Sequence, residues 1–306
     1  MKNQFLFLIL CFSASTLFGQ IDKYETKGNF MIKADGTLFL ETSDADISIL
    51  GSDRKDVFIE VFRKVKIKSN HEEKFSVVIK EDKGNIRLSE IISYNKKKKN
   101  NWVSYKDMDY RITIQAPHST QLHIISEDGD IVMENMQGKL YTKIEDGDIN
   151  IKACEFEHLE IYTEDGDVQM TGNITKLTEI YAEDGRVDLD QVSGKLKATL
   201  EDGNLNLHHG ILRSIDISST DGNVQLRTAL TGDGDYKIVN QDGDIMMELL
   251  DGDATFTLKH QDGNVRTSGD FQIKEKRNNK MVVTTKNANN VKVNMSTQDG
   301  DITLKN

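Results

Sequence analysis

A four-residue corner, Glu-Asp-Gly-Asp, constrains this chain more than any other feature. It is first complete at Glu127-Asp128-Gly129-Asp130 and returns with small changes around Gly147, Gly166, Gly185, Gly203, Gly222, Gly243, Gly263 and Gly300. The spacings are 18, 19, 19, 18, 19, 21, 20 and 37 residues, the last close to two periods. Self-similarity at a fixed period of about 20 residues marks a repeat architecture. Two residues after each glycine the chain is aliphatic (Ile131, Ile149, Val168, Val187, Leu205), and four after it is mostly large and apolar (Met133, Ile151, Met170, Leu189, Leu207). Before the glycine the apolar positions fall at odd offsets, and after it at even ones. Each side reads as a strand with one buried face, so the chain must turn a corner at Asp-Gly.

Two folds can use such a corner. Asp-Gly between alternating strands is a strong hairpin signal, which suggests an antiparallel meander. In a two-residue hairpin, however, Glu127 would face Asp130 and Glu145 would face Asp148, placing like charges directly opposite. A meander also gives no reason for every second turn alone to be Asp-Gly. Stacked coils of two or three short strands explain both the period and the one-sided corner. The expected fold is all-β: a parallel β-solenoid of ~19-residue coils, with an irregular N-terminal β cap.

Residues 1–19 read as a secretory signal peptide, with Lys2, the apolar Phe5 to Phe12 and a small-residue cleavage site at Leu17-Phe18-Gly19. The apolar run is too short to span a membrane, and bulky Leu10 before Cys11 argues against a lipoprotein cysteine. Removing that segment takes Lys2 with it, so the net charge moves from −11 to −12. Cys154 is then the only cysteine, which rules out an internal disulfide in an exported monomer. Residues 20–120 are less regular and are expected to form the cap and first coils, with 121–306 as the regular solenoid. Asp44-Ala45-Asp46 looks like a corner with Ala replacing Gly, and Gly84-Asn85, between Val77 and Leu88, like another. The long last spacing is expected to hide a degenerate coil near Asn278-Asn279, with Met281 and Val283 in register.

The order Ser43-Asp44-Ala45-Asp46-Ile47, Gly51-Ser52-Asp53, Tyr110 to Pro117 and then the tandem Asp-Gly-Asp-Ile coils resembles the bacterial putative-adhesin family of β-strand-repeat proteins. It is similar to the head domains of putative autotransporter adhesins. The resemblance covers essentially the whole chain after residue 19. It implies a β-helix-like solenoid and a surface or adhesive role, and brings no catalytic residues with it.

The corner is the candidate chemical site. The first three corners carry three carboxylates each, at a stacking distance of roughly 4.8 Å. One reading is a row of Ca²⁺ sites, with Asp128, Asp130, Asp146, Asp148, Asp165 and Asp167 as ligands, because Ca²⁺ prefers carboxylate and backbone oxygens. The other is that the Asp before Gly caps its own turn on a solvated edge. The second is favoured by a detail: the residue before Gly is always Asp, whereas the one after it varies among Asp, Asn and Arg. Arg186 is expected to pair with Asp167 on the preceding coil. Lys96 to Lys99 read as a solvated loop, with Trp102 beside it packing on the cap or stacking on a sugar. The histidines form no column, and no zinc spacing, phosphate-cradling loop or nucleophile elbow appears. Acidity and export argue against nucleic acid. Three classes remain: an adhesion-type module binding a glycan, protein or matrix; an envelope protein acting through a protein partner; and a polysaccharide-active enzyme. The last lacks a basic partner for its carboxylates.

Overall fold

In the computed structural model the described residues are 20–67, 73–94, 105–232, 234–288 and 291–306. The expected signal peptide at 1–19, the lysine run at 96–99 and Trp102 lie outside them. Among the described residues there is no helix, so none is long and apolar enough to cross a membrane. The chain divides into two compact units, 1–138 and 139–306.

In the first unit the strands are β1 (Gln20–Met31), β2 (Thr37–Thr42), β3 (Asp46–Ser52), β4 (Asp56–Ile67), β5 (Glu73–Asp82), β6 (Asn85–Tyr94), β7 (Tyr105–Pro117), β8 (Gln121–Asp128) and β9 (Ile131–Glu134). Ala45 does turn a coil corner, joining β2 to β3, and is fully buried. That coil pairs in parallel with two others at once. β2 lies between β6 and β8, and β3 lies between β7 and β9. The inward residues Leu38, Leu40, Ile47 and Ile49 are no more than 2% exposed. β4 pairs antiparallel with both β1 and β7.

Gly84 is not a coil corner. Asp82 pairs with Asn85 across an antiparallel β5–β6 hairpin, and Lys83 and Gly84 have φ of 52° and 82°. Positive φ at both central residues is the mirror-image turn whose twist suits a two-residue hairpin. Glu90, on β6, gathers groups from three positions of this unit. It accepts hydrogen bonds from Tyr110 Oη at 2.6 Å, from Ser43 Oγ at 3.0 Å and from Thr42 Oγ1. Burial, with the Glu90 carboxylate beside it, pushes the Tyr110 hydroxyl far above the usual phenol range.

The second unit is built from β10 (Gln137–Asp146), β11 (Ile149–Lys152), β12 (Glu155–Asp165), β13 (Val168–Thr171), β14 (Ile174–Asp184), β15 (Val187–Asp190), β16 (Ser193–Asp202), β17 (Leu205–Asp221), β18 (Val224–Leu230), β19 (Asp235–Asp242) and β20 (Ile245–Asp251). It continues through β21 (Thr255–Asp262), β22 (Val265–Ser268), β23 (Gln272–Arg277), β24 (Lys280–Thr284), β25 (Lys292–Asp299) and β26 (Ile302–Lys305). Each coil has a long arm, the Asp-Gly corner and a short arm. Equivalent arms stack in parallel with the corners in register, as in Asp165 to Asp184 to Asp202. The parallel stacking settles the choice between solenoid and meander.

A second corner follows six residues after the glycine. Asn135, Ala153, Gly172, Gln191 and His209 have φ of 58°, 50°, 66°, 53° and 56°. A left-handed residue there sends the chain from the short arm into the next long arm. Because five different residue types fill this position, it left no signature in the sequence.

The expected coil at 278–283 is absent. β24 runs antiparallel to β21, with Phe256 opposite Val283, and β23 pairs antiparallel outside it. The 37-residue spacing has another origin: β25 lies between β19 and β21, and β26 between β20 and β22, all parallel. The coil cornered by Gly300 is therefore interposed between those of Gly243 and Gly263.

Candidate functional site

The corner has two structural jobs that define its residues. The first is close approach. A Cβ on Gly166 would lie 2.1 Å from the Gly147 carbonyl oxygen, and one on Gly185 would lie 2.3 Å from that of Gly166. Gly203 shows that this, rather than φ, is the general requirement. It lacks a positive φ, yet its Cβ would meet Gly185 O at 2.1 Å.

The second job belongs to the residue after the glycine. Asp148 Oδ1 accepts the backbone N–H of Asp167 at 2.9 Å, and Asp167 Oδ1 accepts that of Arg186 at 2.8 Å. The pattern resumes from Asn204 to Asn223 and from Asn223 to Asp244, then passes through Asp301 to Asn264. In the first unit Asp46 Oδ1 accepts the N–H of Asp130 at 3.2 Å. Aspartate and asparagine both offer the required oxygen, which explains why this position varies between them. The capping thus comes from the residue after the glycine and reaches the next coil. Arg186 offers no oxygen. It reaches Asp167 Oδ2 at 3.1 Å, as expected from its sequence position, and Asp188 Oδ2 at 2.8 Å.

Of the six candidate calcium ligands, Asp128, Asp130, Asp146, Asp148 and Asp165 are exposed and Asp167 is half-buried. Among the described residues no three acidic, histidine or cysteine side chains converge into a group that could hold a metal ion.

The outward face of the long arms carries a different constellation. Tyr141, Tyr162 and Tyr181 form a ladder, with ring centroids 5.7 Å apart for the first pair and 4.6 Å for the second. The Tyr162 and Tyr181 planes differ by 5°. Parallel pairing places Tyr162 beside Tyr181 and Glu160 beside Glu179, with Lys197 next after Glu179. Lys197 Nζ closes the ladder 5.3 Å above the Tyr181 ring and donates to its hydroxyl at 2.9 Å.

The same ammonium lies 2.8 Å from Glu179 Oε1, and His158 Nε2 lies 2.7 Å from Glu179 Oε2. The Lys197 hydrogen bond holds the Glu179 carboxyl below its usual range, and the Glu179 bond pushes the Lys197 ammonium well above its own. The Tyr162 hydroxyl donates to Glu160 at 2.6 Å, which pushes its acidity far down. These shifts move groups away from neutrality, whereas proton transfer needs a pKa near working pH. What the face offers is a fixed row of aromatic edges, hydroxyls and charges at the strand spacing, suited to holding a polar ligand.

Beside this face is an open groove. Ile174, Ser193 and Ile211 occupy one register column, and the two isoleucines are 59% and 54% exposed. Sequence reading missed the tyrosine ladder. The signal was present in the near-coil spacing of three outward-phased tyrosines, but the apolar core positions drew the alignment.

Stacked parallel coils with a glycine column and a side-chain-capped corner define a β-solenoid. The chain belongs to the Toastrack DUF4097 family, whose model matches residues 36–305. Similar solved structures include a putative adhesin from Bacteroides fragilis, 14% identical, covering 92% of this chain and 97% of that one, with a TM-score of 0.44. A putative lipid binding protein from Parabacteroides distasonis is 13% identical, covering 92% and 96%, with a TM-score of 0.47. A putative cell adhesion protein from Clostridium sporogenes is 13% identical, covering 93% and 99%, with a TM-score of 0.25. No curated protein matches the chain in sequence.

Proposed function

We propose that this chain is an exported, non-enzymatic binding module that holds a glycan of the cell surface or matrix along its tyrosine face. The observation that carries this reading is the ladder of Tyr141, Tyr162 and Tyr181 flanked by Glu160, Glu179, His158 and Lys197. Successive hydroxyls, carboxylates and an ammonium are fixed by one another before any ligand arrives. Such preorganisation reduces the ordering cost of binding an extended, hydroxyl-rich chain. In this reading residues 1–19 direct export, and the putative-adhesin resemblance of the repeat order points the same way.

A second reading, an envelope protein acting through a protein partner, draws on the exposed Ile174 and Ile211 beside the face. The test is a binding screen of the exported chain against a glycan panel and envelope extracts, with Y162F/E160Q and K197A as variants. The glycan reading expects a polysaccharide hit that the variants weaken at least tenfold while circular dichroism stays unchanged. Wild-type binding by both variants would overturn it. Loss of binding on Ile174→Ser or Ile211→Ser alone would move the site to the groove and favour the protein partner.

A further inference from the structure

Residues 291–306 satisfy the coil rules on two sides. Towards β19–β20, the Gly243 N–H donates to Asp299 O at 2.8 Å, the Ile245 N–H to Asp301 O at 2.9 Å, and the Asp301 N–H to Asp244 Oδ1 at 2.8 Å. Towards β21–β22, the Gly300 N–H donates to Asp262 O at 3.0 Å, the Ile302 N–H to Asn264 O at 2.9 Å, and the Asn264 N–H to Asp301 Oδ1 at 2.8 Å. Gly300 also fits both neighbours. Its Cβ would meet Gly243 O at 2.2 Å, and a Cβ on Gly263 would meet Gly300 O at 2.1 Å. Val293, Met295, Ile302 and Leu304 are at most 1% exposed in the slot.

The slot therefore has a strict and short specification: alternating apolar residues, a glycine, an oxygen-bearing residue after it, then two more apolar residues. Everything it recognises lies in one sixteen-residue segment. Both walls come from residues 235–268, which precede that segment in the sequence. None of the bonds depends on the segment being attached to the molecule it fills.

We propose that β25–β26 is an exchangeable strand pair, and that a second copy of this chain can seat its own residues 291–306 between β19–β20 and β21–β22. The occupant is a second copy because the required register, Val293, Met295, Gly300, Asp301, Ile302 and Leu304, is supplied by this chain itself. Monomer and exchanged dimer share every bond in the slot and differ only in connection, so concentration selects between them. This is strand addition in which main-chain bonds give affinity and alternate side-chain pockets give register. It is independent of the tyrosine face.

Lys237 and Asn294 are exposed register partners on β19 and β25. Parallel neighbours lie about 4.8 Å apart, within disulfide reach. Full-length K237C and N294C would be prepared separately, mixed at rising concentration, warmed below the melting transition and oxidised. The double variant K237C/N294C, which should close internally, confirms the register. K237C mixed with T303C controls for random collision, since Thr303 registers with Met246.

The expected result is a disulfide-linked heterodimer of K237C and N294C, at least tenfold above the T303C control and suppressed by excess wild-type chain. Internal closure of the double variant with no heterodimer above that control would overturn the proposal. Failure of the double variant to close would refute the register on which it stands.

Discussion

Asp148 Oδ1 and the backbone N–H of Asp167 are joined at 2.9 Å across one coil step. The corner turns the chain out of the regular ladder, so this N–H needs an acceptor from elsewhere. The preceding coil supplies it with a side chain. Asp148→Ala removes the acceptor and should destabilise the fold by about 1 kcal/mol, whereas Asp148→Asn keeps it and should be neutral or stabilising. Urea unfolding of the two variants separates these outcomes. Equal behaviour of Ala and Asn would mean that the bond contributes nothing.

The glycine column predicts a contrast between two positive-φ positions. Gly166→Ala forces a Cβ against Gly147 O and should cost about 3 kcal/mol or more. Gly172, with φ of 66°, has nothing within 4 Å of its Cβ position, so Gly172→Asn should change stability by less than about 0.5 kcal/mol. Thermal melts of both variants, read side by side, test whether space or dihedral is the governing constraint.

At the second corner, exposed Gln191 holds φ of 53°. Asparagine tolerates this conformation better, so Gln191→Asn should raise stability by about 0.5 kcal/mol. A lower melting temperature would show that Gln191 makes a contact the strain argument omits.

Asp301 gives the corner a pH dependence. The Asn264 N–H donating to Oδ1 is the main cause of its lowered pKa, with the Asn264 amide and Arg266 in support. A carboxyl held below its unfolded value contributes stability that is fully present above about pH 3.9 and is lost as pH falls through the lower folded value. Asp301→Asn keeps the oxygen but cannot titrate. Its melting temperature should therefore fall less steeply than that of the wild type in this acid window, and parallel curves would exclude the linkage.

The calcium expectation has an equally direct check. The capping ladder accounts for Asp148 and Asp167 without a metal. The expected response of the melting temperature is therefore the same for Ca²⁺, Mg²⁺ and Na⁺ at matched ionic strength. A Ca²⁺-specific rise at sub-millimolar concentration, abolished by D130N/D148N/D167N, would instead assign calcium to the corners.

The solenoid was legible because its core obeys one rule at every coil. Parity reverses across Asp-Gly, as Ile144 and Ile149 show by both being buried. Gly84 was misread because two such runs can meet at a corner or fold into a hairpin, and local sequence does not choose. The outcome shows in the turn, where Lys83 and Gly84 both hold positive φ, and Glu90, a residue of no repeat, gathers Tyr110, Ser43 and Thr42. The coil expected around Met281 failed for a related reason. The repeat rule specifies what a coil looks like and says nothing about which neighbour it stacks on, so the interposition of Gly300 left no trace beyond a long spacing. The tyrosine face was missed because outward residues are free to vary, and only their stacking in space makes them a set.

In an ordinary solenoid each coil touches only its neighbours in sequence, and the array can melt piecemeal. Here Gly243 and Gly263 are bridged by Gly300, 57 residues beyond the first of them. The segment from β19 to β26 loses the link between its two walls whenever β25–β26 leaves, and it cannot complete itself until those residues arrive. Departure of β25–β26 should expose the amides of the slot together, and its closure should be the slow, high-contact-order event in folding. The interposed strand makes this stretch of a one-dimensional repeat behave as a cooperative globular unit.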